Sequence, residues 1–466
     1  MRDSSLDQDT LPSHWEGSTV GELYELAYGK GLVKKFRKED GPYPVYGSNG
    51  VVGYHDSYVT EGPVVIVGRK GAAGEVHFSP GNCWPIDTTY FVKPKKAVDE
   101  KFTYYLLKSL RLKQFETSTA IPGLNRADAH RLRIGVPPLQ EQKDIVAKIE
   151  TLFSELDKGI ESLKTARQQL KAYRQAVLKH AFEGKLTEQW RQQNPDKLES
   201  PEQLLDRIQQ EREQRYQQQL EEWKSAVKVW EENGKEGKKP SKPKALKEIS
   251  VLDGEVLSSL PESPPSWMWG RLGLMTCGVE YGTSAKSSGE GDVPVVRMGN
   301  LQSGIIDWSD LVFTSDKEEI EKYSLKAGDV LFNRTNSPEL VGKTAIYKGE
   351  REALFAGYLI RVNHISSIVD GRYLNYFLNS LIAKGYGNTV KTDGVNQSNI
   401  NGEKLQGYPF PFCSLGEQVV VVDALDEKVS AIDRMSDEVS LQLDKAVALR
   451  QSILKKAFSG QLVRFS

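Results

Sequence analysis

Residues 139–186 repeat without a gap as residues 415–462, and this internal duplication constrains the fold more than any other feature of the chain. The first copy opens LQEQ and closes RQAVLKHAFEGKL from Arg174; the second opens LGEQ and closes RQSILKKAFSGQL from Arg450. Between those ends Ile145, Ile149, Leu152, Leu156, Leu163, Leu170, Tyr173 and Val177 recur at steps of three, four or seven, the spacing of a helix with one apolar seam. Val422, Leu425, Val429, Ile432, Val439, Ala446, Leu449 and Ile453 repeat that seam in the second copy. A helix of roughly 40 residues reaches about 60 Å and is too long to stand without a partner. Each seam can pack on its own domain, or the two can pair as an antiparallel coiled coil about a pseudo-two-fold axis; pairing is expected, because it satisfies both copies at once.

The duplication extends upstream more loosely. LPSHW from Leu11 matches PPSWMW from Pro264, YYLLKS from Tyr104 matches YFLNS from Tyr376, and PGLN from Pro122 is matched with DGVN from Asp393. Each half is therefore a module followed by a helix, with middles more divergent than the helices. The expected fold class is α+β: two mixed α/β modules (12–138 and 263–414) separated by two long antiparallel coiled-coil helices (139–186 and 415–463). Between the halves, 187–262 has a different composition. QQEREQRYQQQLEEWK from Gln209 reads as a solvated helix, and ENGKEGKKPSKPK from Glu232 reads as a flexible basic linker.

At 466 residues, with 38% hydrophobic and 27% charged content, the chain is too long for a single core but apolar enough for several. The opening MRDSSLDQDT has no apolar signal core, and apolar runs such as 419–422 are far too short to span a bilayer. A cytoplasmic protein without a membrane partner is expected. Cys83, Cys277 and Cys413 lie far apart with no CxxC pair, which suggests neither a disulfide framework nor zinc and fits a reducing compartment. The net charge of -1 means that any nucleic-acid affinity comes from local patches or from partners.

Such a patch exists in the first module. From Lys30 to Arg133 there are 17 Lys and Arg against 10 Asp and Glu, whereas from Arg271 to Lys404 there are 15 against 16. The first module carries YPVYGSNGVVGYHDSYV, GPVVIVGRKGAAGEVHF and WPIDTTYFVKP, short β-branched and aromatic runs broken by Gly, Pro and Asn, which read as strands and tight turns. GDVLFNRTNSPELVGKTAIY from Gly328 is the corresponding strand, polar turn and strand of the second. Arg can bond both acceptors of a guanine edge, Asn can do the same for adenine, and Lys suits phosphates. The candidate DNA-binding residues are therefore Ser48, Asn49, Arg69, Lys70, Asn125 and Arg126 in the first module, and Arg297, Arg334, Thr335, Asn336, Ser337, Lys343 and Lys391 in the second. Gly, Asn and Ser also make turns in their own right, so each turn residue has a structural reading beside the binding one.

No catalytic constellation emerges. VGKT at Val341 resembles the end of a phosphate-binding loop, but that motif needs glycine where Ser337 stands. His14, His55, His77, His130, His180 and His364 form no HExxH or other close metal spacing. There is no GxSxG elbow, and Pro137 and Pro138 are followed by Leu139 rather than completing an amino-methyltransferase tetrapeptide. A non-catalytic chain is expected.

In this combination and order, the LPxxW-like openings, YPVYGSNG with GRKGAAGEVHF and WPIDTT, the LFNRTNSPELVGK turn, and two helices opening LxEQ and ending AFxGxL resemble the specificity subunits of type I restriction-modification systems. GKLTEQWR from Gly184 resembles that family's central region, while PFPFCSLGEQ departs from the PPLQEQ of the first copy. The resemblance covers nearly the whole chain. It implies two target-recognition domains, each reading one part of a split, asymmetric double-stranded DNA site, with helices that fix the gap and dock two modification subunits. Those subunits would bind S-adenosylmethionine and methylate adenine, restriction subunits would use ATP and Mg, and this chain would need no cofactor.

Two other classes stay in view. A scaffold that never touches DNA would tolerate loss of Arg69 and Arg334, and an enzyme acting on nucleic acid would methylate or cut DNA as an isolated chain.

Overall fold

The computed structural model describes residues 11–462 apart from 116–122, Lys238, Lys244 and Lys247. The MRDSSLDQDT opening, Pro122 of PGLN, two lysines of the KKPSKPK linker stretch and the residues from 463 lie outside the described residues. The chain divides into two compact units, Met1–Arg167 with Asp437–Ser466, and Gln168–Ser436. Both repeated segments are helices of 44 residues, Leu139–Phe182 and Leu415–Phe458, about 66 Å each at the α-helical rise. Each unit thus contains one module, the start of one long helix and the end of the other.

The conserved letters at the helix ends have local causes. A helix N-terminus leaves backbone groups unpaired, and the glutamine of LxEQ ties that end to its module. Gln142 donates to the Pro137 carbonyl (2.9 Å) and accepts from the Asp99 amide (2.9 Å). Gln418 donates to the Cys413 and Ile368 carbonyls (3.0 and 2.9 Å) and accepts from the Asp370 amide (3.0 Å). Asp99 and Asp370 in turn cap the module helices Glu100–Ser109 and Gly371–Leu378.

At the other end, AFxGxL drives its phenylalanine into a core. Phe458 meets Phe102 edge-on at 5.3 Å in the first unit, and Phe182 meets Tyr373 and Phe377 at 5.3 and 5.1 Å in the second. The glycine after each helix is left-handed, φ 70° at Gly184 and 72° at Gly460. A side chain there would also strike the module opening: a Cβ on Gly184 would stand 2.4 Å from Pro264 Cγ, and one on Gly460 would stand 2.2 Å from Pro12 Cγ. The Pro-to-Trp openings and the AFxGxL endings are therefore two sides of one contact, made once in each unit. In both openings the tryptophan amide, Trp15 or Trp267, donates to the carbonyl of that proline at 2.9 Å.

Within each unit the start of one helix meets the end of the other, through Asp157 with Arg450 in the first and Arg174 with Asp433 in the second, the antiparallel sense expected. The seam departs from the sequence pattern at one repeated position. Tyr173 and Leu449 are about half exposed, and the neighbouring Arg174 and Arg450 take the inward place.

The modules share a topology although their middles differ in sequence. In the first, an antiparallel sheet has the strand order Tyr24–Tyr28, Thr89–Pro94, Val64–Gly68, Val76–Ser79; in the second the order is Thr276–Tyr281, Leu359–His364, Val330–Asn333, Thr344–Ile346. A three-stranded sheet accompanies each, with one parallel pair, Tyr43–Gly47 with Trp84–Pro85 and Val293–Val296 with Leu354–Phe355. A two-stranded sheet joins the start and end of each module, Glu16–Thr19 with Arg133–Val136 and Met268–Arg271 with Pro409–Phe412. The second module also has a short hairpin, Leu301–Gln302 with Ile305–Ile306, and a small sheet in which Ser398–Asn399 lies between Thr335–Asn336 and Thr392–Asp393; in the first module an antiparallel bridge, Lys70 with Gly123, stands where Thr335 pairs with Asn399. The fold is thus α+β with mixed modules, as expected.

Between the repeats, the helix Pro201–Glu232 opens with a capping box at Ser200 and Gln203 and a proline in its first turn. Ahead of the stretch from Gln209, Leu204 and Ile208 are buried, Ile208 within the second module's core, and Arg207 donates to the Ser367 carbonyl.

Candidate nucleic-acid interface

The strand Val64–Gly68 runs into Arg69, and the strand Val330–Asn333 runs into Arg334. The two arginines are held alike. The Arg69 amide donates to the Thr88 carbonyl and its carbonyl accepts from Leu124 (2.8 and 2.9 Å); the Arg334 amide donates to Tyr358 and its carbonyl accepts from Ile400 (3.0 and 2.9 Å). Each guanidinium lies over a tyrosine at the end of the first strand of the main sheet, Arg69 over Tyr28 at 5.3 Å and Arg334 over Tyr281 at 4.9 Å. Both rings stay substantially exposed, 54% at Tyr28 and 40% at Tyr281. A glycine follows each, and its missing side chain lets another strand close in: a Cβ on Gly29 would come within 2.1 Å of the Ile86 carbonyl oxygen, and one on Gly282 within 2.2 Å of that of Phe355.

The platforms are not identical. Tyr28 carries a second guanidinium, the exposed Arg126, at 5.0 Å from the ring centre. Arg69 also donates through Nε and Nη2 to the Asp87 carbonyl (3.0 and 2.7 Å), which fixes its plane. In the second module Tyr281 accepts from the Gly402 amide (2.9 Å). Gly402 stands where Arg126 stands in the first module, because each directly follows the asparagine that caps the last short helix, Asn125 or Asn401. This corrects the match of PGLN with DGVN: the equivalent of Asn125 is Asn401, not Asn396.

The remaining candidates fall into four groups. Asn49 is exposed in a turn, Lys70 is exposed at an antiparallel bridge with Gly123, and the Ser48 carbonyl is bound by the His77 ring (3.1 Å). Asn125 uses its oxygen to cap helix Arg126–His130 through the Ala127 amide, a turn-making role. Thr335, Asn336 and Ser337 continue from Arg334, with Thr335 Oγ1 accepting from Asn399 (2.8 Å) and Asn336 accepting from the Ser337 amide (2.8 Å). Lys391 reaches the Pro338 carbonyl (3.3 Å), and Lys343 donates to Gln302 (3.0 Å), so both border this turn. Arg297 is held in a different sheet by Asp310 at 3.0 Å. The tyrosine platforms were not among the nominated residues; the signal was present in AYGKG and EYGTS, each a Tyr-Gly at the end of the module's first long strand.

Nothing in the site chemistry points to bond-making. Burial pushes the Cys83 thiol up to about 11, away from nucleophilic use. Among the described residues no cluster of three or more His, Cys, Asp or Glu is placed to hold a metal ion, and no helix is long and apolar enough to cross a membrane.

A family model for the type I restriction modification DNA specificity domain matches residues 12–165 and again 280–439. The chain belongs to this family. It is 25% identical over 413 residues to the EcoKI specificity subunit of Escherichia coli K12, covering 86% of this chain and 74% of that one. It is 24% identical over 461 residues to the EcoDI specificity subunit of Escherichia coli, covering 97% and 89%. A solved structure described as the structural basis of complex assembly and conformational transition of the type I R-M system shares the fold, with a TM-score of 0.64 at 16% identity over 97% of this chain and 99% of that one. The chain is thus a specificity subunit that binds DNA within a complex through two recognition domains, and the catalytic activities of such systems belong to other subunits.

Proposed function

We propose that each module reads one half of a split, asymmetric DNA site through the turn that carries its tyrosine-backed arginine. Arg69 and Arg126 on Tyr28 would serve one half-site, and Arg334 on Tyr281, with Thr335, Asn336 and Ser337, the other. The observation that carries this is the repetition: the same half-buried arginine on an exposed tyrosine ring stands at equivalent points of two modules that otherwise diverge. An arginine pre-oriented on a ring loses little freedom when it bonds a guanine edge. Asn49, Lys70, Lys343, Lys391 and Arg297 would contribute nearby backbone or base contacts.

The paired helices would set the unread gap and dock two modification subunits. Those subunits would bind S-adenosylmethionine and methylate adenine after flipping it from the duplex, since the target atom is inaccessible in the stack. Restriction subunits using ATP and Mg would complete a cytoplasmic assembly.

Methylome sequencing of a host that expresses this chain with its modification subunit tests the reading. A split adenine-methylated motif is expected, and an unmethylated genome counts against it. Inserting a few residues between 145 and 178 should change the gap and leave the half-sites alone. Altered bases at unchanged spacing would defeat the spacer role.

A further inference from the structure

The second module has the same reader as the first but lacks its surrounding charge. Its 15 basic residues face 16 acidic ones, and where the first module places Arg126 on the platform, the second has Gly402. A side chain has no room at that position, because a Cβ on Gly402 would stand 2.4 Å from Val279 Cγ2.

The inter-repeat segment brings charge to this place. Residues 233–249 contain six lysines against two glutamates, and Lys235, Lys239 and Lys242 are described and exposed. This strap does not hang free. Trp230 Nε1 donates to the Gly237 carbonyl (3.2 Å) and Trp223 Nε1 to the Pro240 carbonyl (3.0 Å), lashing the strap back along helix Pro201–Glu232. Lys239 lies over the Trp230 ring at 5.6 Å and Lys242 over Trp223 at 5.8 Å, so both ammonium groups are held on indole faces rather than buried in ion pairs. Pro240 and Pro243 favour an extended backbone between them. The far end is fixed as well, since Arg271 donates to the Ser250 carbonyl (3.1 Å).

The strap also ends up beside the reader. A cavity of about 730 Å³ has Trp223, Pro240 and Pro243 on one wall and Val279, Tyr281 and Gly402 on another. Tyr281 is the ring beneath Arg334, and Gly402 is the counterpart of Arg126.

We propose that this helix and strap form a DNA-gripping arm of the second module, whose lysines bind phosphates flanking the half-site read by Arg334. The arm supplies the electrostatic footprint that the first module has within its own sequence. It rests on the reading of the modules as DNA readers. A duplex engaged at Arg334 carries one charge for about every 1.7 Å of its axis, and exposed lysines beside that point meet phosphates before they meet base edges.

The test uses the full chain with its modification subunits and a labelled 60-base-pair duplex of arbitrary sequence, with binding measured across a salt series. Lys235→Ala, Lys239→Ala and Lys242→Ala together should weaken binding and reduce the slope of log affinity against log salt by two to three, at about 0.9 per lost phosphate contact. The corresponding triple Lys→Arg variant should keep the wild-type slope, and the methylated motif should stay the same in both. Wild-type slope and affinity in the alanine variant would overturn the arm and leave the readers standing, pointing instead to an acidic protein surface as its partner. Absence of binding by the wild-type complex would bring down the arm and the reader assignment together.

Discussion

Arg174 pairs with Asp433, and the repeat makes the same bond a second time, between Arg450 and Asp157. Every member of one pair is the counterpart of a member of the other, so one sequence device closes the helix seam in both units. The pairs are partly exposed, with side chains at 23% and 53% for the first and 42% and 58% for the second, so screening limits their worth. A double-mutant cycle with Arg174→Ala and Asp433→Ala should give a coupling of about 0.5–1 kcal/mol, and the exposed Arg450 pair about half that. Arg450→Ala should nonetheless cost more than its coupling, because its guanidinium also covers Phe153 at 4.6 Å. Equal losses for Arg450→Ala and Asp157→Ala would show that this packing contributes nothing.

Gly184 and Gly460 combine a left-handed backbone with a proline ring against the missing side chain. Gly184→Ala and Gly460→Ala should each destabilise by about 2 kcal/mol, roughly half from the backbone and half from displacing the proline. Gly159, in the middle of the first long helix with nothing near a built Cβ, makes the contrast. Gly159→Ala should stabilise by about 0.5–1 kcal/mol, through helix propensity alone. Denaturation midpoints of the three variants decide the matter; a Gly184→Ala protein as stable as the parent refutes the account of the AFxGxL motif.

The helices were legible because each letter of their ends answers to one contact. Gln142 and Gln418 bond their modules, Phe182 and Phe458 fill cores, and Gly184 and Gly460 admit a proline. The seam was misread only at Tyr173 and Leu449, because a hydrophobic pattern steps to the nearest apolar residue while the geometry steps to Arg174 and Arg450, whose stems and ion pairs fill the inward place. The Arg69 and Arg334 turns were visible as a basic residue ending an apolar strand. Tyr28 and Tyr281 carry only the faint mark of a Tyr-Gly at a strand end, which has no periodic signature, and only the third dimension puts each ring under a guanidinium. Local letters match Asn125 to Asn396, because the chain between Thr392–Asp393 and Ser398–Asn399 carries a similar string ahead of the true counterpart, Asn401. Helix Pro201–Glu232 begins eight residues before the stretch from Gln209 that reads as solvated, and Leu204 and Ile208 in that extension, too few to make a pattern, are buried.

His364, at the end of the strand Leu359–His364, is held below the ordinary histidine range by burial, against smaller opposing effects from the Val362 carbonyl, Asp329 and Asp370. The folded chain therefore favours the neutral ring, and the unfolded chain binds the proton more readily. Its contribution is fully present above the unfolded value of about 6.5 and is lost as pH falls from there through the lower folded value. Denaturation midpoints measured between about pH 5 and 7.5 should fall toward acid, and His364→Gln should flatten that dependence. An equally steep fall in the variant would assign it to other groups, such as His130, which burial also lowers.

Arg334 and Tyr281 give the sharpest test of the reader, because changes there should affect only one half of the methylated motif. Arg334→Ala should weaken methylation at sites carrying the second module's preferred bases, roughly tenfold to a hundredfold for the loss of one two-pronged base contact. The half-site read by the first module should keep its sequence. Arg334→Lys should not restore the preference, since a point charge replaces a planar fork. Tyr281→Leu removes the platform and should cost about 0.5–1 kcal/mol of binding. Tyr281→Phe keeps the ring, loses only the bond from the Gly402 amide, and should cost less. If Arg334→Ala leaves both half-sites and their methylation rates unchanged, the guanidinium on Tyr281 braces the turn, and base reading passes to Thr335, Asn336 or Ser337.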